Sequence, residues 1–177
     1  EFGRHAGIEN LSTDLIYSIP GQPEEVLKKN LDKAFALLPT HISAYSLTIE
    51  EKTVFGKWAK QGKLVAMDDD KATAQFELVM DSLTRQGYQH YEISNYCLPG
   101  YESKHNTSYW QQKKYLGVGP SAHSFNTLSR QFNINNNHLY IKNIKEGKVP
   151  FEREILTTQN KINEYLFTSL RTKHGCS

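Results

Sequence analysis

The strongest constraint on the fold is an alternation of strand-like and helix-like segments with short connections. "NLSTDLIYSIPGQP" reads as a strand closed by a Pro20-Gly21 turn. The segment "PEEVLKKNLDKAFALLP" follows, with Val26, Leu27, Leu31, Ala34, Phe35 and Leu38 on one helical face. Pro23 suits a first helical turn, Glu24 and Glu25 suit the positive helix end, and Pro39 stops the run. "HISAYSLTIE" is β-branched and aromatic enough for a second strand. "TVFGKWAKQGKL" predicts a short helix. "DDDKATAQFELVMDSLTRQG" predicts a longer one, with an acidic start and Gly87 at its C-terminal cap. "YQHYEISNY" reads as a third strand. Strand, helix, strand, helix, strand predicts βαβ units, a parallel sheet and right-handed crossovers.

After Tyr96 the pattern changes. "CLPGYESKHNTSYWQQKK" is mostly loop with a helical turn or two, and "YLGVGPSAHSFNTLSRQFNIN" reads as a glycine loop feeding a strand or hairpin. "NHLYIKNIKEG" and "TTQNKINEYLFTSLRTK" predict amphipathic helices. The opening "EFGRHAGIENLS" has no methionine and runs quickly toward a strand, as in a chain cut from something longer.

The three candidate strands carry polar residues on alternating positions: Ser12, Asp14 and Ser18; Ser46 and Thr48; His90, Glu92 and Ser94. A parallel strand buried on both faces is nearly all apolar. Polar inner faces near strand ends instead predict a ligand-lined mouth, as in β/α barrels.

Composition excludes several classes. A net charge of +2 is too small to argue for nucleic acid or an anionic membrane, and no apolar run nears the roughly 20 residues that span a bilayer. Two cysteines far apart, Cys97 and Cys176, predict reduced thiols in a cytoplasmic protein rather than a disulfide framework. The seven histidines lack the H-E-x-x-H spacing and no C-x-x-C exists, so a structural zinc site is not expected. "GPSAH" is not a nucleophile elbow. "GVGPSA" matches G-x-G-x-x-A only on paper, because a strand-like segment rather than a helix follows it. Gly117 and Gly119 there fit a tight loop that brings backbone close to a ligand, since glycine permits close approach. Asp14, mid-strand, is either ion-paired with a Lys or Arg or free to bind a ligand's hydroxyl or ammonium group, and Glu92 admits the same two readings. His105, followed by Asn106, Tyr109 and Trp110, is either a hydrogen-bonded structural residue or a metal ligand beside flat apolar surface.

Four segments together, "DLIYSIPGQ", "HISAYSLTIE", "GYQHYEISNY" and "HNTSYWQQKKYLGVGPSAHSF", resemble in order and spacing the oxygen-independent coproporphyrinogen III oxidase family of radical S-adenosylmethionine (SAM) proteins. "YEISN" and the H-N-x-x-Y-W pattern resemble its haem-chaperone branch. The resemblance covers roughly residues 3–175. It implies an α/β fold: the second half of a partial β/α barrel over residues 1–126, then a hairpin and helices opening a C-terminal domain over 127–177. It implies a parent that binds SAM, a [4Fe–4S] cluster and haem, and that passes haem to a recipient protein. The alternative is the oxidase itself, which converts coproporphyrinogen III to protoporphyrinogen IX. The family's three cluster cysteines, spaced C-x-x-x-C-x-x-C, have no match here, so this chain alone is expected to be inactive in radical chemistry. Residue by residue, the resemblance implies SAM contacts at Asp14, Thr48 and His123, the last following the Gly117–Gly119 loop. It implies a haem-iron ligand at His105, flanked by Tyr109 and Trp110.

Overall fold

The computed structural model describes residues 2–176, which form two compact units dividing between Ser103 and Lys104. The first unit contains α1 (Phe2–His5), β1 (Ser12–Tyr17), α2 (Glu24–Ala36), β2 (His41–Ser46), α3 (Val54–Lys60), α4 (Asp69–Arg85), β3 (Gln89–Glu92) and β4 (Asn95–Cys97). Its sheet has the order β1-β2-β4-β3. β1 and β2 are parallel, from Ser12 opposite His41 to Tyr17 opposite Ser46, so the expected βαβ unit forms through α2.

The third strand forms as β3 and runs in the same direction as β1 and β2, but β4 stands between it and β2. "YQHYEISNY" bends back on itself at Ile93 and Ser94 into two short antiparallel strands, and β4 runs antiparallel to β2. The cause is local. The buried Glu92 carboxylate accepts the Ser94 backbone N–H at 2.9 Å and the Asn95 amide, which stabilises a turn. Ala44 N–H then donates to Ser94 O at 2.7 Å, seating that turn against β2.

One face of this sheet carries Leu15, Tyr17, Ile42, Ala44 and Tyr96 against Leu27 and Leu31 of α2 and Val79 and Leu83 of α4. Each such aliphatic side chain contributes about 1.5–3 kcal/mol by leaving water. Gly87 closes α4 with a φ of 86°, the left-handed position a C-terminal cap requires.

The second unit contains α5 (Lys104–Trp110), β5 (His123–Phe125), β6 (Ser129–Asn133), α6 (Asn137–Lys145), β7 (Phe151–Ile155) and α7 (Thr158–Leu170). Its antiparallel sheet has the order β5-β6-β7. The expected hairpin and helices are present, and β7 is an addition: all five of its residues are exposed, so it lacks the in–out alternation that marks a strand. The units divide earlier than the expected boundary at 126 because residues 115–122 pair with the hairpin. Tyr115 bridges Phe125, Ser121 N–H donates to Ile134 O at 3.1 Å, and Asn133 Nδ2 donates to Gly119 O at 2.9 Å.

Candidate functional site

In the first unit, the sheet face opposite the core is polar. The register lines up Ser12 with His41, and Asp14 with Ser43 and then Asn95. His41 is buried. Its Nδ1 lies 2.9 Å from Ser12 Oγ and its Nε2 2.8 Å from the Tyr91 hydroxyl, which also accepts the Ser103 N–H at 3.3 Å. Burial pushes the Tyr91 hydroxyl up to about 12 and lowers the His41 pKa, an effect that the nearby Asp14 and Glu92 carboxylates oppose. Burial thus favours the neutral form of His41, whose two ring nitrogens each meet a hydroxyl.

Its titration is a test. The unfolded chain takes the proton first, near an ordinary histidine pKa of about 6.5. This stability is fully present above that pH and declines as pH falls below it. Urea midpoints compared at pH 7.5 and 5.5 are expected to drop more in the wild type than in His41→Gln. Equal drops would remove His41 as the source.

Asp14 lies on this polar face and is exposed, and among the described residues no salt bridge includes it. The expected ion pair with a Lys or Arg is thus not found among the described residues. Thr48 is exposed just beyond β2, where Leu47 N–H still donates to Tyr17 O at 2.9 Å. Asp14 therefore lies midway along the parallel strand pair, and Thr48 just past its C-terminal end. Glu92 takes the structural role described above. Sequence reasoning passed over His41 and Tyr91, although the signal was present: in "HISAY" the polar-capable residues His41, Ser43 and Tyr45 alternate with Ile42 and Ala44.

In the second unit, His105 is exposed in the first turn of α5. Tyr109, one turn on, meets it edge to face at 4.9 Å, and the ring series continues through Tyr115 at 4.9 Å to Phe125 at 6.0 Å. Trp110 does not join His105. It packs under the Arg171 guanidinium, 4.8 Å from the ring centre. Arg130 lies 5.6 Å over the Phe125 ring and donates to both Glu164 oxygens at 2.9 and 3.0 Å, and this carboxylate raises its pKa further.

The glycine loop has a backbone reason of its own. A Cβ on Gly117 would sit 2.1 Å from His123 O, and Gly119 has a φ of 108°. Gly117 N–H donates to Ser124 Oγ at 3.0 Å. The close approach that glycine permits is made to β5 itself. His123 is exposed at the start of β5, its ring 5.7 Å from that of Phe132, and both line an open cavity of about 770 Å³.

No family model matches the chain. Over 172 residues, 97% of its length, the chain is 39% identical to the heme chaperone HemW of Lactococcus lactis, covering 45% of that protein. It is 36% identical across its whole length to the heme chaperone HemW of Bacillus subtilis, covering 47% of it. Along almost its whole length the chain resembles these haem chaperones. It spans somewhat under half the length of these relatives. The solved structure of coproporphyrinogen III oxidase (HemN) from Escherichia coli, a radical SAM enzyme, superposes with a TM-score of 0.73. That match covers 96% of this chain and 42% of the oxidase at 20% identity, and it establishes the shared α/β fold.

This likeness makes the ligand chemistry of this chain's residues the next question. A [4Fe–4S] cluster needs a set of thiolates. Cys97 is sealed inside β4 and Cys176 is exposed in the other unit. Among the described residues no three His, Cys, Asp or Glu side chains gather as a metal site. The residues present do not fit that cluster. A haem iron fits better: imidazole is a ligand such iron takes, and His105 offers one at the surface beside the Tyr109 ring. Among the described residues no helix is long and apolar enough to cross a membrane.

Proposed function

We propose that this chain carries haem-holding and SAM-contacting residues of a cytoplasmic haem chaperone, which binds haem and hands it to a recipient protein. In this reading His105 ligates the iron and Tyr109 offers its ring to the macrocycle. Asp14, Thr48 and His123, with the Gly117–Gly119 loop, supply individual contacts to SAM, and the [4Fe–4S] ligands belong to sequence this chain does not contain. The observation that carries the proposal is the exposed His105–Tyr109 pair in a "HNTSYW" helix, within a chain 39% identical to a heme chaperone along almost all its length. The fold match to the oxidase, at 20% identity, favours no particular activity.

The experiment is direct. A protein spanning the relatives' whole length is incubated with coproporphyrinogen III and SAM, and in parallel titrated with haem. Stoichiometric haem binding without the divinyl product supports the chaperone; the divinyl product would turn the assignment to the oxidase.

Asp14→Ala in the same protein is expected to weaken SAM binding while preserving the fold, because the carboxylate is exposed and no salt bridge among the described residues engages it. Losing one hydrogen bond to a charged group costs about 1.5–3 kcal/mol, so an affinity drop of about 10- to 150-fold is expected by calorimetric titration. Unchanged affinity would give Asp14 a role in the sheet alone.

A further inference from the structure

Within the second unit, a cavity of about 250 Å³ is lined by Tyr109, Trp110, Gln112, Tyr115, Arg130 and Glu164, with Phe125 and Phe167 in its wall. Two of these residues carry buried N–H donors, Trp110 Nε1 and Gln112 Nε2, that have no hydrogen-bond partner among the described residues. An unmatched buried donor is costly, and it is relieved by an oxygen that accepts from it. Gln112 is held at a φ of 51°, a conformation uncommon for a residue with a side chain. Arg130 gives two of its donors to Glu164, leaving others on the guanidinium fork. Lys113 also lines the cavity, so its cations outnumber its single carboxylate. Aromatic walls, unmatched N–H donors and excess positive charge together select an acceptor-only anion on an apolar stem.

We propose that this cavity is a carboxylate-binding subsite and that its occupant is a propionate arm of the porphyrin whose iron His105 holds. The inference rests on the haem reading above. Tyr109 connects the two, since it meets His105 edge-on and also lines the cavity. The volume lies below the roughly 300–1,000 Å³ of pockets that enclose a whole small ligand, so the cavity takes the arm and leaves the macrocycle outside. Gln112 meets the incoming oxygen by turning its amide about the terminal torsion, which is broad for glutamine.

The test titrates a protein spanning the relatives' whole length with haem and with haem dimethyl ester, whose arms carry no charge. Haem is expected to bind at least about tenfold more tightly than the ester. Trp110→Phe combined with Gln112→Leu keeps the apolar shape and removes both donors. It is expected to bring the two ligands within about twofold of each other while the iron absorption band persists. Near-UV circular dichroism and the melting midpoint establish that the double variant is folded. Equal binding of haem and ester by the wild type would overturn the subsite and leave the haem reading standing. Full discrimination in the folded double variant would also overturn it. If neither porphyrin binds, the haem reading falls and this subsite with it. Benzoate added alone is expected to leave haem binding unchanged; displacement of haem by it would assign the cavity to a free small carboxylate and overturn the porphyrin arm.

Discussion

Replacing His105 with alanine is expected to abolish the imidazole–iron absorption band of bound haem, while Cys97→Ser leaves it intact. The contrast follows from where the two donors lie. His105 is exposed on the first turn of α5, so iron reaches its ring without disturbing the fold. Cys97 lies eight residues upstream and is also chemically competent, since thiolate ligates haem iron. Yet Cys97 is 0% exposed within β4, opposite His41 and Gln89, and iron would have to open the sheet to reach it. His123 is another exposed imidazole to control for; it stands beside Phe132 on β5. His123→Ala is expected to keep the band. Spectra of the three variants titrated with haem decide the matter: loss in His123→Ala alone moves the ligand to β5, and loss in Cys97→Ser alone moves it into the first unit. Persistence in all three would end the haem assignment of this motif.

The elements that were legible in the sequence are those whose local chemistry and tertiary surroundings agree. The first strand, both longer helices and the second strand stand where periodicity, acidic helix starts and the Pro39 and Gly87 stops predicted them. The failure at "YQHYEISNY" came from reading a run of strand-forming residues as one strand. The turn at Ile93 and Ser94 contains neither glycine nor proline, and it depends on a buried Glu92 side chain capping the chain's own backbone. A carboxylate used in this way carries no periodic signature, so only the structure distinguishes it from a ligand contact. β7 was missed for the opposite reason: its residues are all exposed, and burial is what imprints alternation on a strand.

The candidate site divides along similar lines. Single residues with unusual placement, Asp14 in a strand and His105 beside "SYW", were visible in one dimension. What each one touches was not. Trp110 adjoins Tyr109 in sequence, but successive helical positions point about 100° apart, so the two rings serve different partners: Tyr109 meets His105 and Trp110 meets Arg171. The bidentate Arg130–Glu164 pair joins β6 to α7 across a sequence separation that no short-range pattern encodes. His41 was readable from strand alternation, but its bonds to Ser12 and Tyr91 depend on a register that only the folded sheet defines.

Gly117→Ala is expected to destabilise the second unit far more visibly than Gly119→Ala, although the two glycines stand two residues apart in one loop. At Gly117 the obstacle is another stretch of backbone. The added Cβ would lie 2.1 Å from His123 O, 2.7 Å from its carbonyl carbon and 2.8 Å from its nitrogen, and no rotamer relieves a clash with main chain. Relief requires the 115–122 segment to part from β5, which gives up the Tyr115–Phe125 bridge with its two hydrogen bonds of 3.0 and 2.9 Å. The Gly117–Ser124 bond is lost with it. The cost is expected at or above the upper end of the roughly 1–3 kcal/mol that overpacking brings. At Gly119 there is open space around the added carbon, and the penalty is conformational: a φ of 108° is strained for alanine, at about 1–3 kcal/mol with no clash added. Denaturant midpoints for both variants measure the difference. Because the loop also positions Tyr115 against Tyr109, Gly117→Ala is further expected to weaken haem binding without removing His105, whereas Gly119→Ala leaves the aromatic series in place. If the two variants melt together, the close approach of Gly117 to β5 is not what holds this loop.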